Sequence, residues 1–520
     1  MGEGTASFRS IAVGAVLAAL HLTGVDAAEC EQLKKLELPH TEIIVAEGVK
    51  AGGFKPPSIE GSGGAPLIAY AHLPSFCRVA GTIRPTAQSE IGFEVWMPDS
   101  TGTGAWNGKL VGVGNGAWAG SILHAAMIDP LSMGYATVAT DGGHQGSQMD
   151  ASFGANAEKL ADFGHRAIHE MTVAAKAVID AFYGRKAHRS LFASCSTGGR
   201  QGLMEAHRYP DDYDGISSMA PANPVVALMV SSLWTGHATM KDAASRIPRE
   251  KFSLVHRAAV KACDAGDGVR DGIISAPTRC RFDPAILQCK DGADASRGAT
   301  DCLTGLQVAA LRAIYQGPRN PRTSEPIFPG FEPGSEALLP IPATGTEPFP
   351  AVLSYFRDLV FKDPNWDFRS FDFDKDVTRA MQAHSATIDV PAAGLDKYLA
   401  SGRKLLLTHG WADPLIPPMS TVSFYNELKA HLGEKRAAGA RLFMIPGMGH
   451  CGGGDGPFVF DAIATIDKWV ETGRAPGRIV VSNPSTAPRR ARPLCPFPQE
   501  AVYIGTGSTD EEKNFRCEAR

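Results

Sequence analysis

Short apolar runs separated by glycine-rich or polar turns recur through the first half of the chain and return near its end. They occupy residues 80–84, 91–97, 108–113, 135–140, 191–195, 213–219, 404–408 and 441–445. Most are rich in Val, Ile, Leu and Phe and end in Gly, Asn or Asp, which predicts strands of a largely buried sheet. Between several of them the period changes to that of a helix: residues 165–182 and 458–470 carry apolar positions three and four apart, and 201–206 continue the run at 191–200 with helix formers. Strand and helix in alternation predict βαβ units and a parallel sheet. Residues 31–78 are more polar, with apolar stretches at 41–45 and 65–71 that predict a small β-rich segment. Over 224–400 the alternation stops, and Pro-, Gly- and Asp-rich loops with scattered helices, one predicted over 301–315, take its place.

Composition changes this picture little. The chain has 520 residues, 44% hydrophobic and 20% charged, ample for a large core, and a formal net charge of −4 gives no electrostatic reason to expect nucleic acid or an anionic membrane as partner. The amino terminus does change it. Arg9 precedes an apolar run over 11–22, and Val25-Asp26-Ala27 offers small residues for cleavage, so residues 1–27 read as a secretory signal rather than the first helix of a cytosolic protein. No later stretch reaches the length of a membrane span. A secreted or periplasmic location follows, and with it disulfides: the ten cysteines all lie after residue 27. Count alone leaves their connectivity open. Spacing suggests Cys30–Cys77, Cys263–Cys280, Cys289–Cys302 and Cys495–Cys517.

Candidate chemistry sits at strand ends. In Leu191-Phe-Ala-Ser-Cys-Ser-Thr-Gly-Gly-Arg200 an apolar strand turns through small residues into a helix, the setting that lifts a serine hydroxyl on a sharp elbow; Ser196 is the candidate nucleophile, with Ser194 where a glycine is usual. Asp413 and His450 end two later strand-plus-glycine stretches. The order Ser, Asp, His is that of the α/β-hydrolase triad. Cys195 precedes the serine and Cys451 follows the histidine, so a bonded serine–histidine pair would bring these cysteines within bridging distance. The glycine-rich 112–120 loop follows another strand and predicts an oxyanion hole formed by the N–H groups of Gly116 and Thr197.

These motifs together, Cys195-Ser196-Thr-Gly-Gly-Arg-Gln-Gly202, Gly410-Trp-Ala-Asp413 and Gly449-His450-Cys451, resemble the tannase and feruloyl esterase family, which includes mono(2-hydroxyethyl) terephthalate hydrolases. The resemblance covers nearly the whole chain after residue 27 and implies the same five disulfides, Cys195–Cys451 included. It implies an α/β-hydrolase fold with a large inserted lid: hydrolase domain over 28–223 and 401–520, lid over 224–400. Within the lid, Asp264, Asp267 and Asp271 stand in Asp-Gly turns able to wrap a hard cation. The resemblance implies a structural Ca2+ there, held also by the Val269 and Ile273 carbonyls. It implies hydrolysis of small aromatic esters, whether feruloyl, galloyl or terephthalate half-esters, with no organic cofactor. Trp234, Phe356 and Trp366 are candidate lining for an aryl pocket, with lid core as their alternative. His144, His165 and His169 read as structural, and Arg489-Arg-Ala-Arg492 as solvated surface. The competing functions are another triad hydrolase, such as a lipase or peptidase, and a non-catalytic calcium-stabilised binding protein.

Overall fold

The apolar runs become strands β1 (Thr41–Val49), β2 (Phe76–Ile83), β3 (Ile91–Pro98), β4 (Lys109–Gly112), β5 (Ala136–Thr140), β6 (Arg189–Cys195), β7 (Gly215–Met219), β8 (Lys404–Gly410) and β9 (Ala440–Ile445) in a computed structural model. It describes residues 1–2, 27–57, 67–100, 104–290, 301–483 and 489–519. The expected leader, 1–27, falls almost wholly outside them. All nine strands form one sheet in the order β1-β2-β3-β5-β4-β6-β7-β8-β9. The first three pair antiparallel, as do β3 and β5, and every pairing from β5 to β9 is parallel. This is the α/β-hydrolase fold.

The parallel strands are apolar throughout because both faces are covered. Neighbouring residues go to opposite layers: Phe192, Leu405 and Leu407 join the core under helix α1 (Ala167–Tyr183), whereas Leu191 and Leu406 join Ile466 and Trp469 of a helix on the other face. Helix α1 begins after a π-turn, Asp162–Arg166, and ends at Gly184, whose φ of 64° suits a residue without a side chain. The helix after β6 is α2 (Thr197–Arg208).

Between β7 and β8 the chain leaves the sheet and adds no strand to it among the described residues. This insertion holds α3 (Val225–Met240) and α4 (Gly305–Gln316). The second starts at Gly305 because Thr304 forms a reciprocal cap with Gln307. The last helix, α5 (Ala462–Thr472), likewise starts at its Asp461 cap, later than the apolar pattern at 458–460 suggests. Two hairpins absent from the sequence reading follow, β10 (Ile479–Asn483) with β11 (Arg490–Leu494) and β12 (Gln499–Tyr503) with β13 (Phe515–Ala519).

All five expected disulfides are present. Among the described residues no helix is long and apolar enough to cross a membrane. Two expectations fail. The 65–71 stretch yields a 3₁₀ turn, Leu67–His72, not a strand: Tyr70 and Leu73, three apart, are buried on one side with Phe54 and Phe76, a helical spacing. The arginine cluster is solvated surface only in part: Arg489 is exposed, but Arg492 is buried with its guanidinium 2.6 Å from Asp271.

Candidate active site

In a parallel sheet the carboxyl ends of all strands open on one edge, so residues just past β4, β6, β8 and β9 meet there whatever their separation along the chain. Ser196 follows β6 directly, with φ 64° and ψ −126°, a conformation held at roughly 1–3 kcal/mol of strain by its surroundings. Those surroundings leave no room for side chains. A Cβ on Gly198 would lie 2.0 Å from Ser194 Oγ, and one on Gly199 2.5 Å from the Met219 carbonyl oxygen. Ser194 is more than a substitute for a small residue, since its hydroxyl accepts a bond from Gly114 N and ties the loop after β4 to the strand carrying the elbow.

His450 Nε2 lies 2.9 Å from Ser196 Oγ, and Asp413 Oδ2 lies 2.7 Å from His450 Nδ1. The Cys195–Cys451 bridge closes beside this pair across a sequence separation of 256, with Cα atoms 5.9 Å apart. Asp413 is fully buried. Its Oδ1 accepts from the N–H groups of Leu415 and Ile416, and its Oδ2 also faces His409 Nε2 at 3.2 Å. Burial pushes this carboxyl up, but the charge and hydrogen bonds of His450 and His409 outweigh it and hold Asp413 well below the usual carboxylate range. His409, missed in the sequence, is itself fixed: its Nδ1 lies 2.7 Å from Thr421 Oγ1, and its Nε2–H reaches the Ile416 carbonyl at 3.1 Å. Its only signal was a histidine in an apolar strand four residues before the acid. Burial lowers the affinity of His450 for a proton, and Asp413 more than offsets it, so the imidazole titrates above its ordinary 6.5.

The glycine-rich loop after β4 is stitched to α2. Asn115 N donates to Gln201 Oε1, Gln201 Nε2 returns a bond to Asn115 Oδ1, Gly198 N donates to the Asn115 carbonyl, and Thr197 Oγ1 donates to the Ala117 carbonyl at 2.6 Å. Asn115 and Gln201 were not singled out from sequence; a buried glutamine on the nucleophile helix carries no local mark of its partner. Gly116 and Thr197 line the same cavity as Ser196 and His450, and no hydrogen bond described in the structure occupies their N–H groups. Such groups can receive the oxygen of a tetrahedral intermediate.

That cavity has a volume of about 590 Å³ and is roofed by the insertion through α3 and residues 331–352. Its aromatic surface comes from Trp118, Phe163, Phe331 and Phe349, not from Trp234, Phe356 or Trp366, which pack into the core that the insertion shares with residues 118–163. Among the described residues no Asp, Glu, Lys or Arg lines it, and His450 is the one imidazole that does. The other expected site lies apart. Asp264 accepts from Asp271 N and Gly272 N, Asp267 from Val269 N and Ser275 Oγ, and Asp271 from Ile273 N and Arg492. Asp267 is buried, and burial together with the nearby Asp271 charge pushes its carboxyl up.

Fold and edge geometry define an α/β-hydrolase in which a serine, an imidazole and a carboxylate form one hydrogen-bonded chain. Residues 77–518 match the family described as tannase and feruloyl esterase, and the chain belongs to that family of carboxylic ester hydrolases. It is 37% identical to an uncharacterised esterase of Xanthomonas campestris, over 97% of this chain and 93% of that one. It is 32% identical to the mono(2-hydroxyethyl) terephthalate hydrolase of Piscinibacter sakaiensis, over 88% and 87%. Its structure is similar to that of feruloyl esterase B from Aspergillus oryzae, with a TM-score of 0.85 at 27% identity, covering 95% of this chain and 100% of the other.

The geometry predicts the pH dependence. Ester hydrolysis should fall as pH drops through a pKa above 6.5, where His450 takes a proton. Asp413→Asn should move that acidic limb to lower pH and reduce kcat by roughly 10,000-fold. A kcat/KM–pH profile of both proteins measures this, and an unmoved limb would contradict the assignment.

Proposed function

We propose that the protein is a serine esterase for uncharged aromatic esters, with hydroxycinnamoyl esters its first substrate class. His450 takes the Ser196 proton as Oγ attacks the ester carbonyl, and Asp413 keeps the imidazole in the tautomer that accepts it. The N–H groups of Gly116 and Thr197 hold the oxyanion, a contribution of about 3 kcal/mol per donor in comparable sites. His450 then passes the proton to the leaving alcohol and activates water against the acyl-enzyme.

The observation that carries this reading is the Ser196–His450–Asp413 hydrogen-bonded chain opening into an apolar cavity without a charged side chain. Its volume of about 590 Å³ accommodates an aryl acyl group, and its four aromatic residues offer ring contacts. A terephthalate half-ester would carry its second carboxylate into the same space, where no Lys or Arg among the described residues meets it. Polar groups that can bond a neutral phenol are present, among them Ser232, Thr235 and Gln148.

A calcium ion in the insertion is a second part of the proposal. Asp264, Asp267 and Asp271, with the Val269 and Ile273 carbonyls, offer oxygen donors only, and carboxylate lone pairs remain beyond the bonds already made; the three carboxylates do not all lie within 4.8 Å of one another, so binding would draw them together. Buried Asp267 beside Asp271 supports a cation; Arg492 already supplies part of the charge. The ion would be structural, bracing the insertion against the β10–β11 hairpin.

Two experiments test these statements. Hydrolysis of methyl ferulate, methyl gallate, mono(2-hydroxyethyl) terephthalate, an aliphatic ester and a peptide amide is compared in wild type and Ser196→Ala. The neutral aryl esters should exceed the terephthalate half-ester by roughly 100-fold in kcat/KM, as about 3 kcal/mol of unpaired charge requires, and Ser196→Ala should lose roughly a million-fold in kcat. Preference for the half-ester would refute the neutral-acyl reading alone; activity surviving Ser196→Ala would refute the mechanism. Chelation with EGTA should lower Tm and added calcium should restore it, with Asp267→Asn unresponsive; a Tm indifferent to both would remove the ion from the account.

A further inference from the structure

On the flank of the sheet, away from the nucleophile, α1 and α2 place a second cluster of coordinating groups. His169 on α1, Glu205 near the end of α2 and Asp212 in the turn after α2 each bring one ligand atom within 4.8 Å of the others. Glu205 lies nine residues beyond Ser196, about 13 Å along the helix axis at 1.5 Å per residue. It is 1% exposed, and among the described residues no donor group bonds either of its carboxylate oxygens, while the carboxylate of Asp212 stands within hydrogen-bond reach of it. An ionised carboxylate in that state demands a cation or a proton.

The neighbours provide only part of an answer. Asp212 Oδ2 already lies 2.6 Å from His169 Nδ1, and Lys176 Nζ donates to the Asp212 carbonyl at 2.6 Å while standing 3.8 Å from its Oδ1. None of these bonds reaches Glu205. The His169 ring is held flat against Tyr209, centroids 3.9 Å apart, so its position is set by packing as well as by Asp212. The side chains of His169 and Asp212 are 29% and 12% exposed, which leaves an approach from solvent to the buried carboxylate behind them.

We propose that His169, Glu205 and Asp212 bind a divalent metal ion of the zinc class. One imidazole nitrogen and two carboxylates are the donor set of such an ion, with water in the remaining position, whereas a calcium ion takes oxygen ligands only. Bound there, the ion replaces the His169–Asp212 hydrogen bond with coordination, gives Glu205 its missing partner and ties α1 to the far end of the nucleophile helix. It is distinct in place and donor chemistry from the insertion's aspartate loop.

The test uses the full-length protein stripped with a chelator and dialysed, then given one equivalent of ZnCl2, with metal content by mass spectrometry and Tm by calorimetry. Wild type should retain one zinc per chain more than Glu205→Gln or His169→Asn, and zinc should raise its Tm by roughly a few degrees. Glu205→Gln keeps the side chain's shape, and undiminished ester hydrolysis in either variant shows that it is folded. Equal zinc in wild type and both variants would overturn the proposal. So would a wild type that binds none while Glu205→Gln raises Tm, because a shared proton between Glu205 and Asp212 would then satisfy the site.

Discussion

The backbone of Ser196 is the constraint on which the site depends. A residue with a side chain held at φ 64° is unfavourable on its own, and it persists because strand, helix and two neighbouring strands leave the elbow no alternative. Gly198 and Gly199 give the close approach that fixes the turn, and Ser196 N and O are both spent, on the Met219 carbonyl and on the Arg200 and Ala222 N–H groups. The hydroxyl is left to meet His450 Nε2 and the cavity. Around it, the loop carrying Gly116 is locked to α2 by Asn115 and Gln201, and the loop carrying His450 is locked to β6 by the Cys195–Cys451 disulfide. The two halves of the candidate site are thus referenced to one helix start.

Electrostatics follow from the same placement. Asp413 is buried at the sheet edge and surrounded by donors, two backbone N–H groups and two imidazoles, so it remains charged where an isolated carboxyl would not. That charge raises the proton affinity of His450, and among the described residues no charged side chain lines the cavity it faces. In such surroundings a developing oxyanion interacts strongly with fixed N–H dipoles. The insertion contributes shape and exclusion of water more than charge: its residues over the cavity include Val225, Leu228, Phe331, Phe349 and Val352, with Ser232 and Thr235 as polar points among them.

How much of this the sequence disclosed depends on the range of the contacts involved. Ser196, Asp413 and His450 were legible because each follows a buried strand, and strand ends in a parallel sheet converge by topology. The cysteines beside two of them made the longest disulfide legible for the same reason. Residues whose role rests on non-local packing were not. Trp234, Phe356 and Trp366 look like pocket aromatics by composition, yet they fill the core that the insertion shares with residues 118–163, while Phe331 and Phe349 carry no pattern that sets them apart. Arg492 reads as part of a basic surface run until the hairpin brings it to Asp271, 221 residues away. His409 and Gln201 lie inside segments correctly read as strand and helix, where periodicity records burial and says nothing of the polar partner met there.

The claim at the centre is that one activated serine performs the chemistry through a covalent acyl-enzyme. An aryl phosphonofluoridate, which captures such a serine irreversibly, tests it most directly, with peptide mapping by mass spectrometry and residual ester hydrolysis followed in parallel. The account predicts a single adduct on Ser196 whose extent matches the loss of activity, and none in the His450→Ala variant over the same time. Complete inactivation without label on Ser196, or hydrolysis that continues after Ser196 is fully modified, would contradict it.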